Sequence, residues 1–145
     1  MRRVFTHQMW KSLVLEGAAW VTDSEADVWT VQEDILIVGV AMQAEICTQS
    51  ENDGIAGGYG RLYHGSPADL HSLILIAKAF ELWNTAPPFG GIEAECREIM
   101  LPAGLAIPIK EEGSITLQTH TTGKSAGSVS WSVGAVIFYV KKSVK

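Results

Sequence analysis

The sequence predicts an all-β protein, an antiparallel β-sandwich of the jelly-roll kind with one short helix. The first observation is that apolar stretches of strand length recur at short spacing from residue 12 onward, separated by glycine, proline and acidic turn residues. The second is the regularity of the last third, where strands alternate with the turns at residues 102–104 and 111–113. About eight short strands with turn residues between them are typical of a two-sheet sandwich.

The length and charge of the chain indicate one domain that works in an assembly. A chain of 145 residues fits a single domain. Residues 1–11 have mixed polarity and no period, so we predict an amino-terminal arm there and a single sandwich domain over residues 12–145. Charged residues make up 19% of the chain, against about 25% in typical soluble domains. The low charge favours a homo-oligomer or a subunit of a larger assembly.

The first half of the sandwich domain is predicted to be built around one long strand. Residues 35–48 are apolar on both faces at the start and alternate toward the end, as expected for a central strand with one covered end. The glycine-rich residues 49–60 predict a loop. The shorter strands are predicted at residues 12–21, 26–31 and 61–64, with a polar turn at 22–25.

A helix is predicted near residues 67–80. Ser66 is a good helix cap, Pro67 fits the first helical position, and Asp69 completes an aspartate version of the capping box. Residues 73–76 also fit a strand core, so a helical turn from Pro67 that changes to strand before residue 80 is the alternative. Residues 84–91, rich in proline and glycine, end this element.

The second half reads as strands joined by turns. Residues 129–140 form the last strand, in which Trp131 alternates with Ser130 and Ser132 and is therefore expected in the core or in a subunit contact. Residues 121–127 are small and polar and predict an exposed loop. The other strands are predicted at residues 92–101, 105–110 and 114–120.

The net charge, the cysteines and the hydropathy of the chain argue against nucleic-acid binding, a disulfide framework and a membrane span. The net charge is −5 and no basic stripe is present, so we predict no nucleic-acid partner. Cys47 and Cys96 lie in apolar contexts and are expected to be buried free thiols, with a single bridge as the alternative. No run reaches the roughly 18 apolar residues of a membrane span, and no signal peptide is recognised, so we expect synthesis and folding in a cytoplasm.

No catalytic template fits the sequence. The four histidines are scattered without metal-ligand spacing, neither cysteine stands in a nucleophile motif, and the glycine-rich residues 54–60 lack the ending of a phosphate loop. The carboxylates are explained by solvated strand and turn positions. We therefore predict no enzyme activity, no catalytic residues, no cofactor and no metal.

The aromatic side chains are the best candidates for a binding role. Trp10 is predicted to anchor in a partner's pocket, because large aromatic residues dominate protein interfaces. The simpler interpretation of any of these side chains is a place in the sandwich core. The candidate interface residues are Phe5, Trp10, Trp131, Phe138 and Tyr139.

Two stretches of the last 45 or so residues resemble a known class of protein. They are residues 101–117, which begin Leu101-Pro102-Ala103-Gly104, and residues 129–142, which begin Val129-Ser130-Trp131-Ser132. They resemble the small β-sandwich structural proteins of virions of bacteriophages and related viruses, such as capsid decoration proteins and small jelly-roll capsid proteins. The resemblance implies homo-oligomers, often trimers, that dock on the major capsid protein or other virion subunits.

The leading hypothesis is therefore a virion structural protein. The first alternative is a carbohydrate- or receptor-binding module of a tail or spike, which predicts an exposed Trp or Tyr near residues 49–60 or 121–127. The second is a small β-sandwich enzyme, which predicts convergent His, Glu or Cys side chains. A trimeric ligand resembling tumour necrosis factor is disfavoured by the missing secretion signal. The host, the oligomer number and the choice between shell, decoration and spike stay open.

Overall fold

The structure is a computed structural model that describes residues 2–16, 20–48, 54–65, 73–83, 91–125 and 128–142. These residues are almost entirely extended, and their one helical element is a 3-10 turn at Ala103–Leu105. The strands are β1 (Val4–Glu16), β2 (Trp20–Thr30), β3 (Ile35–Thr48), β4 (Gly54–His64), β5 (Leu73–Trp83), β6 (Gly91–Met100), β7 (Ile107–Ile109), β8 (Ser114–Ser125) and β9 (Ser128–Lys141).

The strands form two antiparallel sheets that pack face to face. Sheet A has the order β1-β9-β3-β6, with the short β7 also paired to β3, and sheet B has the order β2-β8-β4-β5. Apart from β7, the first long strand pairs with the last, the second with the second last, and so on inward to the β4–β5 pair. This is a long hairpin rolled into a sandwich, the topology of a jelly roll. The predicted all-β sandwich is confirmed.

The core lies between the sheets and follows the alternation of the strands. In β9 the side chains of Trp131, Val133 and Ile137 are buried, and in β8 those of Ile115 and Leu117 meet them from the other sheet. Burying such side chains contributes about 1.5–3 kcal/mol each. The alternation predicted for the last strand places Trp131 in this core, where it is 1% exposed.

A β-bulge explains why the long strand reads as apolar on both faces. Ile35 and Ile37 are buried, and the buried set then continues with Val40 and Met42, which have the other parity. The register against β9 shifts between Ile37 and Gly39. The extra residue, Val38, lets both halves of β3 point apolar side chains into the same core.

The predicted amino-terminal arm differs from the structure, because residues 4–11 belong to β1. This strand pairs with β9 from Val4↔Val140 to Glu16↔Ser128. Its odd-numbered residues near the start face the other sheet, and Met9 among them is buried. The predicted turn at residues 22–25 likewise lies inside β2. Polar residues are tolerated there because long-range pairing with β8, rather than local propensity, holds the strand.

The predicted loops at residues 49–60 and 121–127 are largely strand, because β4 begins at Gly54 and β8 runs to Ser125. The glycines serve close approach here. A Cβ on Gly58 would overlap the carbonyl oxygen of His120, and a Cβ on Gly60 would overlap a methyl group of Val133. Glycine inside a strand often marks a site where another chain segment approaches the backbone.

The predicted helix near residues 67–80 is wrong over residues 73–80, which belong to β5 and pair with β4. Strand was the stated alternative for this segment. Residues 66–72, which carry the capping signature, lie outside the described residues. Apolar residues at helical spacing are also compatible with a strand that is buried on both faces. The pairing with β4 shows that this segment is a strand.

Asp34 ties together the turns at one end of the sandwich. Its carboxylate accepts hydrogen bonds from the backbone N–H of Glu111 (2.9 Å) and the Nζ of Lys110 (3.0 Å). Its own carbonyl accepts from the backbone N–H of Lys142. The hydrogen bond from Glu111, followed by that from Lys110, lowers the pKa of Asp34. The connections after β2, β7 and β9 therefore meet at one residue, Asp34, through its carboxylate and its backbone carbonyl.

Candidate interaction surface

The side of sheet A that faces away from sheet B is unusually apolar, and we call it the outer face. Strand alternation places Trp10 of β1, Val136 and Phe138 of β9, and Met100 of β6 on this side. Trp10 is 54% exposed and Met100 is 67% exposed. The outer face of a sheet in a monomeric sandwich is normally polar, so this surface is a candidate for contact with a partner.

The large side chains of the edge strands fold over glycines of the central strands. Trp10 lies opposite Gly134, and a Cβ on Gly134 would overlap the indole ring. Met100 lies opposite Gly39, whose Cβ would be 2.7 Å from the Met100 sulfur. An aromatic ring placed across from a strand glycine replaces the packing that the glycine lacks. The two glycines therefore leave room for the Trp10 and Met100 side chains to pack against the sheet.

A shallow groove of about 660 Å³ crosses the outer face. It runs over all four long strands of sheet A, from the Trp10 indole on β1 to Cys96 on β6. Ala41 and Val136 contribute to its apolar lining, whereas Glu98 places a charge on the β6 side. An apolar centre with a polar rim is the usual composition of a protein interface.

A cluster of aromatic rings joins β1, β2 and β9 between the sheets. Phe5 stacks on Tyr139 (5.7 Å between centroids), Tyr139 contacts Trp29 (5.1 Å), and Trp29 stacks on His7 (4.0 Å). Lys141 Nζ lies 4.9 Å from the Phe5 ring centroid and adds a cation–π contact. The cluster is a contact between the sheets, and no pattern in the sequence pairs His7 with Trp29.

Burial lowers the pKa of His7, and the negative charge of Asp27 opposes that effect only in part. The imidazole ring is stacked on an indole at an interplanar angle of 11°. A ring in this position is partly removed from water, which disfavours the charged imidazolium. The cluster is therefore the part of the described core whose packing responds to mild acid.

A second polar and aromatic group lies on the opposite sheet. Arg61 of β4 donates hydrogen bonds to the hydroxyl oxygens of Tyr59 and Tyr63, and its guanidinium lies 4.1 Å from the Tyr59 ring centroid. The Tyr59 ring also stacks with His120, with ring centroids 4.9 Å apart. Tyr59 lies within the region where a binding module was predicted to carry an exposed aromatic residue, and it is partly exposed.

The structure separates the five candidate interface residues into three places. Trp10 and Phe138 lie on the outer face, Phe5 and Tyr139 stack on each other in the aromatic cluster, and Trp131 is buried. No hydrogen-bond partner for the Trp131 indole Nε1 is found in the part of the chain that the structure describes. Only Trp10 and Phe138 are positioned for a partner, and their role in an interface stays a prediction.

Cys96 of β6 is a free thiol as predicted, but it is exposed rather than buried. It lies opposite Gln43 of β3 on the outer face, which is solvent-facing rather than core. The side chain of Cys47 lies outside the described residues. Within the described ranges no group of three or more His, Cys, Asp or Glu side chains could hold a metal ion, and no helix is long and apolar enough to cross a membrane.

Comparisons with known proteins show only distant likeness. No family model matches the chain, and no curated protein matches it. Among solved structures, the capsid protein in a decameric BFDV assembly aligns over 97% of this chain and 100% of its own, with a TM-score of 0.45 and 10% identity. A structure of the Gt strain of infectious bursal disease virus aligns over 97% of this chain, with a TM-score of 0.44 and 15% identity.

The similar structures are not all viral. Murine APRIL aligns over 90% of this chain and 99% of its own, with a TM-score of 0.37 and 7% identity. The chain spans about a third of the length of the infectious bursal disease virus chains, 38% and 33% in the Gx and Gt strains. Because every one of these TM-scores is below 0.5, the function has to be inferred from the geometry of this chain itself.

Proposed function

We propose that this protein is a virion structural subunit, a small jelly-roll capsid or decoration protein. It works by homo-oligomerisation and by docking on the major capsid protein or other virion subunits. The observation that carries the proposal is the outer face of sheet A, where Val4, Trp10 and Met100 are 52%, 54% and 67% exposed. These side chains lie on one side of one sheet, so a single partner surface can cover them together.

The physical reason is the free energy of the exposed apolar surface. Each Å² of apolar surface removed from water contributes about 25 cal/mol, and a tryptophan near the centre of an interface often dominates its binding energy. Trp10 and Met100 are already held over Gly134 and Gly39. A partner therefore meets side chains that lose little conformational freedom on binding, which favours affinity.

The proposal includes no catalytic role. A virion subunit needs only surfaces that bind neighbours, and the groove on the outer face carries apolar residues and a polar rim rather than convergent acids and bases. The location that follows from the proposal is the virion, after synthesis in the host cytoplasm. The jelly roll is frequent among viral capsid proteins but also occurs in lectins and cupins, so the fold by itself does not choose among them.

A carbohydrate- or receptor-binding module is the second candidate, and the group around Arg61 favours it. Tyr59, His120 and Arg61 offer two stacked rings and a guanidinium on the outer side of sheet B. Aromatic rings and hydrogen-bond donors of this kind suit a sugar ring. If this candidate is right, Tyr59→Ala abolishes binding on a glycan array, while Trp10→Ser leaves that binding intact.

The proposed function is tested by comparing two surface variants in sedimentation velocity. Trp10→Ser removes the largest exposed side chain of the outer face, and Val28→Ser removes an exposed apolar side chain (45%) from the other sheet. We expect the wild type and Val28→Ser to form the same oligomer and Trp10→Ser to dissociate at least about tenfold more readily, a change of 1.4 kcal/mol. Equal behaviour of all three proteins contradicts the proposal. Thermal unfolding of each variant controls for lost stability.

A further inference from the structure

In the described part of the chain, β6 is the edge strand at one end of sheet A. Within the described residues β6 pairs with β3 on one side and with no strand on the other. Cys96, Arg97, Glu98 and Met100 are all exposed along this edge. An edge strand presents a row of backbone N–H and C=O groups that can pair with another strand, unless charge or a bulge prevents it.

We propose that β6 pairs antiparallel with β6 of a second copy of this chain, about a two-fold axis that passes between the two Cys96 residues. Sheet A then continues from one subunit into the other. The inference deepens the proposed function by naming one contact of the assembly, and it rests on that function only in assuming that the chain self-associates.

The charges along β6 select this register. A two-fold axis perpendicular to the sheet keeps the outer faces of both subunits on the same side, so residues opposite each other must have the same parity. With Cys96 opposite Cys96, Glu95 of each copy faces Arg97 of the other, which gives two opposite-charge pairs. Opposite charges on facing positions stabilise a strand pair by roughly 0.2–1 kcal/mol each.

The neighbouring registers are unfavourable. An axis through residue 95 places two glutamates opposite each other, and an axis through residue 97 places two arginines opposite each other. Like charges at facing positions destabilise a strand pair. Charged residues on an edge strand usually prevent pairing, but the order Glu95-Cys96-Arg97 is complementary to itself when reversed. Glu95 and Arg97 each also have an interaction within their own subunit.

The pairing also joins the two outer faces. Cys96, Arg97 and Glu98 line the groove at its β6 end, so the grooves of both subunits meet at the axis and form one continuous trough. The apolar surfaces around Trp10 then lie on the same side of one extended sheet. On this one face, the dimer therefore has twice the apolar surface of one subunit, and further virion subunits can bind to it.

Cys96 provides a direct test. Facing residues of an antiparallel pair have Cα atoms about 4.5–5.5 Å apart, which is within the range of roughly 4.4–6.8 Å that a disulfide spans. Diamide oxidises two thiols to a disulfide and takes up the two electrons and two protons that they release. We expect diamide to give a covalent dimer with the wild type and with Cys47→Ser, and none with Cys96→Ser.

A charge exchange tests the register under reducing conditions. Glu95→Arg and Arg97→Glu each replace two attractive pairs by two repulsive ones, so we expect the dimer dissociation constant to rise about tenfold or more in each. The double variant restores the complementarity and should regain the wild-type constant. This rescue distinguishes a register contact from a loss of stability in the subunit, which unfolding curves report separately.

The outcomes separate this inference from the proposed function. A wild-type oligomer that shows no Cys96 cross-link and no response to charge reversal overturns the β6 pairing and leaves the outer-face proposal standing. A cross-link with rescue by the double variant supports the β6 pairing even if Trp10→Ser has no effect. A monomer at every concentration overturns both.

Discussion

Gly58 allows the backbones of two neighbouring strands of sheet B to approach each other closely. A Cβ on Gly58 would overlap the backbone carbonyl of His120, which cannot rotate away as a side chain could. We expect Gly58→Ala to lower the free energy of unfolding by about 3 kcal/mol, at the upper end of overpacking effects. Urea unfolding measures this.

Gly104 is the matched control for that substitution. It is exposed, and a Cβ there would have no neighbour within 4 Å. Gly104→Ala should therefore change the free energy of unfolding by less than about 0.5 kcal/mol, as surface substitutions usually do. Equal effects of the two substitutions would show that the close approach at Gly58 does not exist.

His7 makes stability sensitive to mild acid. Burial lowers the pKa of His7 below its ordinary value of 6.5, so above pH 6.5 the ring is neutral in both the folded and the unfolded chain. As the pH falls below 6.5 the unfolded chain takes up the proton first, and the free energy of unfolding decreases until the pH passes the lower pKa of the folded state. His7→Phe keeps a ring on Trp29 and should remove this decrease.

The measurement is urea unfolding of the wild type and His7→Phe between pH 7.5 and pH 5, where the wild type should lose stability relative to the variant. Asp27 is the charged group that opposes the shift, so Asp27→Asn should lower the pKa of His7 further and make the total loss of stability in acid larger than in the wild type. Parallel pH curves for the wild type and His7→Phe would contradict the assignment of this effect to His7.

At the scale of elements, the turn between β7 and β8 carries the clearest local strain. Glu112 has a φ of 67° and is the non-glycine residue with positive φ in the described part of the chain. A left-handed conformation costs a residue with a side chain roughly 1–2 kcal/mol, and glycine avoids this at an entropic cost of about 0.5–1 kcal/mol.

Glu112→Gly is therefore expected to raise the free energy of unfolding by about 0.5–1 kcal/mol. Glu111, one residue earlier in the same turn, does not have a positive φ. Glu111→Gly therefore relieves no strain and should lower the free energy of unfolding. Thermal unfolding of the two variants checks the difference. If Glu111→Gly stabilises the protein as much as Glu112→Gly, the turn geometry is wrong.

The strands that the sequence predicts well are those with clear alternation. β3 spans the predicted residues 35–48, and β9 extends the predicted residues 129–140 by one residue at each end. β1 and β4 were predicted only over their last residues, 12–16 and 61–64, because the strand character of the rest comes from partners far along the chain. Polar residues of β1 pair with β9, and the glycines of β4 allow close contacts that no local pattern records.

The candidate surface was predictable only in part. Trp10 stands out in the sequence as an aromatic residue without a core pattern, and the structure leaves it half exposed. Its position over Gly134 depends on the register between β1 and β9, which are separated by most of the chain. The bulge at Val38 likewise changes which β3 residues face outward, and single-strand alternation cannot reveal it.

At the scale of the whole molecule, the two sheets have different outer faces. Sheet A exposes Trp10, Met100 and Val4, whereas sheet B, where its side chains are described, exposes Val28 and carries the hydrogen-bonded pair of Arg61 and Tyr59. The apolar outer face of sheet A is suited to assembly on that side. The open β6 edge borders the same face and gives the assembly a direction in which sheet A can continue.

The most direct test of this account is the mass of the reduced wild-type protein in solution, measured by light scattering over a hundredfold range of concentration. A subunit has a mass of 15.7 kDa. We expect a defined oligomer whose mass is an even multiple of this value. A mass of one subunit throughout the range would contradict the claim that the outer face and the β6 edge bind other copies of the chain.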